Sequence, residues 1–271
     1  MKQLLLLLLI FGCAEFDHAQ PVFDPVGADA WSVGGASVAS KNIFGAFNNP
    51  SSIVELDKVG CGIYSEKRFN ETKLITSSIA LVLPLKYIHA ALSIHHFGYD
   101  LFNQQKLSLT LAKKLSKQFS LGISFSYFIT NISEQLPAGV FLGEFGISYH
   151  PFSKWQVGVF VFNPTQSKYS TNSYDKVPTY ARIGTSYTIS DKVKFITEFD
   201  QKLNQDLVFR GGVNYQIHKQ LSLSIGAANN PDYLTFGTGI YIKKSKIDFA
   251  ISIHQILGIS PHLSISLPVN K

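Results

Sequence analysis

Phe119-Ser-Leu-Gly-Ile-Ser-Phe-Ser-Tyr127 alternates large apolar side chains with serine and glycine without a break. Successive side chains of an extended chain point to opposite faces, so Phe119, Leu121, Ile123, Phe125 and Tyr127 share one face. Ser120, Gly122, Ser124 and Ser126 share the other. Leu107/Leu109/Leu111, Leu221/Leu223/Ile225 and Leu263/Ile265/Leu267 repeat the pattern, interleaved with mostly Ser, Thr, Gly or Ala. A soluble sandwich also alternates, but its strands run to five or six residues and its wet face carries Lys and Glu. Here the runs reach ten or more residues and the second face is mostly Gly, Ser and Thr. That is the pattern of strands with lipid on one side and a lumen on the other.

Fourteen such segments follow one another, at about 58–68, 72–83, 87–98, 103–114, 118–131, 138–150, 155–162, 179–190, 193–202, 207–217, 220–228, 234–243, 246–254 and 261–269. The connections test the count. Every second one is short and carries lysine: Lys86, Lys117, Lys154, Lys192, Lys219 and Lys243-Lys244. The connections between them are read as longer, the longest about 163–178. Short turns on one rim and longer loops on the other are the plan of an outer-membrane barrel. The expected fold is all-β, a transmembrane antiparallel β-barrel of about 14 strands over 57–271, with both termini on the periplasmic side.

Composition agrees. Charged residues are 15% of the chain against roughly 25% in soluble domains. The net charge of +6 is lysine spread through turns, since only Arg68, Arg182 and Arg210 are arginine, and this argues against nucleic acid as a partner. Met1–Ala19 reads as an export signal: Lys2, then the apolar run Leu4–Phe11, too short to span a bilayer as a helix. Cleavage after Ala14, cleavage after Ala19, and a lipobox ending at Cys13 all remain open. With Cys13 gone, Cys61 has no disulfide partner and reads as a small residue on a membrane-facing strand.

Residues 20–56 are rich in Gly, Ala and Asn and lack strand alternation. They suit a segment packed inside the barrel, with Asn49 capping a short helix that starts at Pro50. Gly27-Ala-Asp-Ala30-Trp-Ser-Val-Gly34-Gly35-Ala36-Ser-Val-Ala39, followed by Ala46-Phe-Asn-Asn49-Pro50-Ser51, resembles the N-terminal signature of FadL-like outer-membrane proteins. It is closest to the PorV-type branch associated with type IX secretion, with Asp29 where Arg is common and Ser51 where Ala is common. The end, Leu257-Gly-Ile-Ser-Pro-His-Leu-Ser-Ile-Ser-Leu267, resembles that branch's last loop and strand. The resemblance implies a fourteen-stranded barrel with an N-terminal segment, about 20–56, plugging the lumen. It also implies outer-membrane lipids as surroundings and other outer-membrane proteins of a secretion or assembly complex as partners. The function it favours is an accessory subunit. The alternative is a FadL-like transporter of hydrophobic small molecules, marked by an apolar path or a gap in the wall beside the plug.

The polar face carries Glu144, Arg182, Glu198, Asp200, Arg210 and Asp248. Hairpin register sets Arg182 opposite Asp200 and Glu198 opposite Arg210, the basis of a lumen salt-bridge ladder. No catalytic motif, cofactor motif or metal-ligand spacing emerges. His95 and His96 point to opposite faces, and His150, His218, His254 and His262 are read at strand ends or turns. Tyr149, Trp155, Tyr187 and Tyr215 fall toward strand ends as an aromatic girdle.

Overall fold

The computed structural model describes residues 23–169 and 177–268. The stretch read as an export signal, and part of the longest loop, lie outside the described residues. Fourteen antiparallel strands close into a barrel in which each pairs with its sequence neighbours and the last pairs with the first. They are β1 Gly60–Lys67, β2 Ile75–Pro84, β3 His89–Tyr99, β4 Phe102–Lys114, β5 Phe119–Ile132, β6 Ala138–Phe152 and β7 Trp155–Phe162. The second half holds β8 Tyr180–Ser190, β9 Val193–Lys202, β10 Val208–His218, β11 Leu221–Ala228, β12 Tyr233–Ile242, β13 Ser245–His254 and β14 Gly258–Leu267. Closure pairs the backbone groups that lipid could not satisfy. No described helix is long and apolar enough to cross a membrane.

The alternation resolves into two walls. Phe125, Phe141, Leu223, Ile225, Phe236 and Leu263 stand exposed on the outside. Ser108, Thr110, Ser124, Ser126, Ser148 and Ser252 are buried on the inside. The six lysine-bearing turns form one rim. On the other rim only 68–74 and 163–179 are long. Connections 100–101 and 255–257 are as tight as the turns opposite, because β3–β4 and β13–β14 keep pairing to Tyr99–Phe102 and His254–Gly258. The last strand begins at Gly258, three residues before the sequence suggests. Pro261 is accommodated because it lies just past the end of the β1 ladder at His262–Glu66, where a missing N–H breaks no bond to β1.

Residues 23–56 are enclosed by the barrel. Two single-turn helices, α1 Ala28–Trp31 and α2 Gly45–Asn48, precede a 3-10 turn at Pro50–Glu55. Asn49 caps that turn, its side chain accepting from Ser51 N–H, with Pro50 in the first position. The segment bonds to many strands. Ala28 N–H donates to Ser264 Oγ on β14, Gly34 N–H to Thr235 Oγ1 on β12, and Asn49 Nδ2 to the Ile147 carbonyl on β6. Ser51 and Ser148 share a hydroxyl bond of 2.7 Å. A wall of serine and glycine leaves room for a backbone to approach this closely.

Candidate functional site

One part of the lumen is strongly aromatic. Near the loop rim, β3 to β8 turn Phe97, Phe128, Val140, Leu142, Phe160, Phe162 and Tyr180 inward, and all are buried. Phe23 and Val38 of the N-terminal segment and Val177 of the β7–β8 loop complete the cluster's buried members. The Phe23 ring lies 5.2 Å from Phe128 and 4.9 Å from Phe162, tilted against both. Phe162 stacks on Tyr180 at 4.9 Å. Tyr169 covers Phe128 at 5.9 Å, its hydroxyl bonded to Thr130.

Among the described residues, the ladder between β6 and β7 stops short beside this cluster. The β5–β6 ladder runs to Thr130–Ala138, but the β6–β7 register ends at Glu144–Phe162. Asn163 N–H donates to the Gly143 carbonyl one step beyond that register. Along residues 138–142, which carry Val140 and Leu142 inward, β6 is laddered to β5 and not to β7.

Charge underlies the apolar layer. Lys106 Nζ sits 2.9 Å from Glu144 Oε1 and 5.3 Å from the centre of the Phe162 ring. Arg182 Nε donates to Asp200 Oδ2 at 3.0 Å, and its guanidinium lies 4.7 Å from the Tyr180 ring. Its Nη2 donates to the Phe23 carbonyl at 2.6 Å. Arg182 is therefore a latch on the head of the segment. Glu198 is a second latch, its Oε2 accepting from Ser37 N–H at 2.7 Å and Val38 N–H at 2.8 Å.

The six charges singled out in the sequence all face inward and are buried, but they form three groups. Arg182, Glu198, Asp200 and Arg210 come together. Glu144 pairs instead with Lys106, and Asp248 with Lys246 at 2.7 Å. Arg210 bonds Asp200 at 3.2 Å and not Glu198, although Glu198 is opposite it in register, because the segment's N–H groups engage Glu198. His262 is corrected: it lies within β14, not at a turn. Its Nδ1 meets the Tyr64 hydroxyl, its Nε2 meets Ser252, and Trp31 stacks on it at 4.7 Å. The motif glycines take positive φ at Gly27, Gly34 and Gly35, while Ala30 and Ala36 are buried against the wall.

Sequence reading missed a further ion cluster near the loop rim, where Arg68 joins Asp24 to Glu66. Burial works to raise the Asp24 carboxyl. The adjacent Arg68 guanidinium, aided by Lys202 and Arg210, outweighs it and holds the group below its ordinary value. The stabilisation is thus present above the ordinary carboxylate pKa and lost as pH falls through the lowered one. Asp24→Asn is expected to cost about 1–2 kcal/mol at neutral pH. Denaturant unfolding of the two proteins across pH checks this, and their stabilities should converge as the pH falls through the lowered value.

No family model matches the sequence, and no curated protein matches it. Solved structures do. The CymD monoaromatic hydrocarbon channel superposes with a TM-score of 0.65 at 13% identity, over 92% of this chain and 99% of that one. The Pseudomonas putida toluene transporter TodX gives 0.66 at 11%, over 90% and 96%. A Pseudomonas aeruginosa FadL homologue gives 0.63 at 12%, over 89% and 97%. The likeness is one of fold.

Proposed function

We propose that this chain is an outer-membrane channel for small hydrophobic molecules, with its short-turn rim in the periplasm. The observation that carries this is the aromatic cluster at the loop-rim level of the lumen, beside the point where the ladder between β6 and β7 stops. Polar lumens pass water and ions, so a buried apolar patch at one level needs an apolar guest or an apolar stopper. Phe23 is such a stopper in this structure. The names of the structures with this fold, hydrocarbon channels and a toluene transporter, support the same reading.

The test is entry of a fluorescent apolar probe, N-phenylnaphthylamine, into cells whose lipopolysaccharide leaflet excludes it. The chain should admit the probe faster than an empty vector. Phe23→Ala should admit it several-fold faster again, with exclusion of a large hydrophilic dye unchanged. Entry no faster than the vector for both proteins would overturn the proposal.

The close packing of 23–56 favours a second reading, the accessory subunit that works by contact. Purification in mild detergent tests it. A stable complex with other outer-membrane proteins supports it, and a solitary chain counts against it.

A further inference from the structure

Phe23 sits in the aromatic cluster as a bound molecule would. Its ring is held between Phe128 and Phe162, and its carbonyl oxygen accepts from Arg182 Nη2 at 2.6 Å and from the Tyr180 hydroxyl at 3.4 Å. Two tetrahedral carbons separate ring from carbonyl, so residue 23 presents a 3-phenylpropanoyl skeleton to the wall. We propose that the site filled by Phe23 binds an uncharged aryl carbonyl compound, a ketone, ester or amide with a two-carbon spacer, in place of residue 23. This rests on the channel reading and names its substrate class.

The carbonyl is required because of Arg182. Its side chain is 2% exposed. A plain hydrocarbon that evicts Phe23 would remove the acceptor and leave a buried guanidinium N–H unpaired. A ligand carbonyl restores that bond. Neutrality follows from the local charge count. Arg182 and Arg210 face Glu198 and Asp200, and Lys106 faces Glu144, so the site is balanced already. Asp200 Oδ1 and Glu144 Oε2 are both buried without a hydrogen-bond partner. A carboxylate would add an unmatched negative charge beside them.

Residue 23 can yield without the rest of the segment. Asp24 is tied to Arg68, and the Pro25 carbonyl accepts from Trp31 Nε1 at 2.9 Å. The fold therefore holds 24 onward independently of the Phe23 ring.

The experiment compares three ligands matched in their ring and similar in length: 4-phenylbutan-2-one, butylbenzene and 3-phenylpropanoate. Binding to the purified full chain and to Phe23→Gly is measured by calorimetry in detergent. In Phe23→Gly no ring anchors residue 23, so its backbone carbonyl can swing off Arg182. The ketone should take over that bond and bind about ten-fold more tightly than either competitor, which can fill only the ring pocket. The native chain should keep that order with weaker affinities, since the ring must leave first. In Phe23→Gly, a further Tyr180→Phe change should narrow the ketone's advantage. Arg182→Met should abolish it, and Tyr180→Phe keeps the test open should that variant fail to fold. Butylbenzene binding as tightly as the ketone would overturn the inference and leave the channel reading intact. Tightest binding of 3-phenylpropanoate would overturn the neutrality requirement. No binding of any of the three to Phe23→Gly would defeat both.

Discussion

Leucine at position 226 is expected to push the N-terminal segment off the wall while the barrel stays closed. Gly226 on β11 pairs with Gly212 on β10, and both face inward beneath Val33 and Gly34. A Cβ at Gly226 would overlap Gly34 N and Val33 C, which are backbone atoms without a rotamer to yield. Gly34 cannot retreat along its present path, since its φ of 78° and its bond to Thr235 fix it there. Two more cross-strand glycine pairs serve the same purpose. Gly122–Gly146 receives Asn49 to Ser51, and Gly158–Gly184 receives Val38. Overpacking a close contact costs typically 1–3 kcal/mol, and a backbone obstruction belongs at or above the top of that range. For Gly226→Leu we expect a loss of about 3 kcal/mol or more, taken up by undocking. The barrel should keep its heat-modifiable electrophoretic mobility, because an inward side chain leaves the β10–β11 ladder intact. Proteolysis within 23–56 should accelerate. Trp31 should shift its emission to the red as it leaves the ring of His262, read in a Trp155→Phe background. Unchanged protease protection and unchanged Trp31 emission would sink the idea.

Those glycines show where sequence reading stops. Alternation places Gly122 on the inner face, because side-chain period is a local property of extended chain. That each of these glycines seats a particular stretch of 33–51 is a contact across the whole fold, and no local pattern encodes it. The Asn49-Pro50 start of a helical turn was legible, since capping is settled within three residues. Register across one hairpin was legible too: Arg182 does lie opposite Asp200, and Glu198 opposite Arg210. The partner each side chain chooses was not, because the segment's N–H groups compete for Glu198. The apolar cluster left a trace that went unread. Phe128 follows Tyr127, and Phe160-Val161-Phe162 is large and apolar on both faces, where much of the inner wall is small or polar. In a barrel with a polar lumen, a strand apolar on both faces marks the place where something apolar is held inside.

Arg182→Ala is expected to be the most damaging single change among the lumen charges. The guanidinium bonds Asp200 and the Phe23 carbonyl, and lies 3.8 Å from Glu198 Oε1. Its removal leaves two fully buried carboxylates with Arg210 alone, and Arg210 already serves Asp200. Breaking a buried ion pair from one side costs about 3–5 kcal/mol, because the charge left behind has lost its water without keeping its partner. Asp200→Asn in the same chain should recover part of that loss, since one stranded charge is then gone. The two changes should be non-additive by about 1–3 kcal/mol in guanidinium unfolding of vesicle-inserted protein. The magnitude also reports the state of the lumen. Water filling the barrel would screen these groups, and the effect of Arg182→Ala would shrink below about 1 kcal/mol, as for surface pairs. A loss at the full buried value means that the segment and the aromatic cluster seal this level of the barrel against water. On the channel reading, a guest would then pass by displacing Phe23, not by diffusing through an open pore.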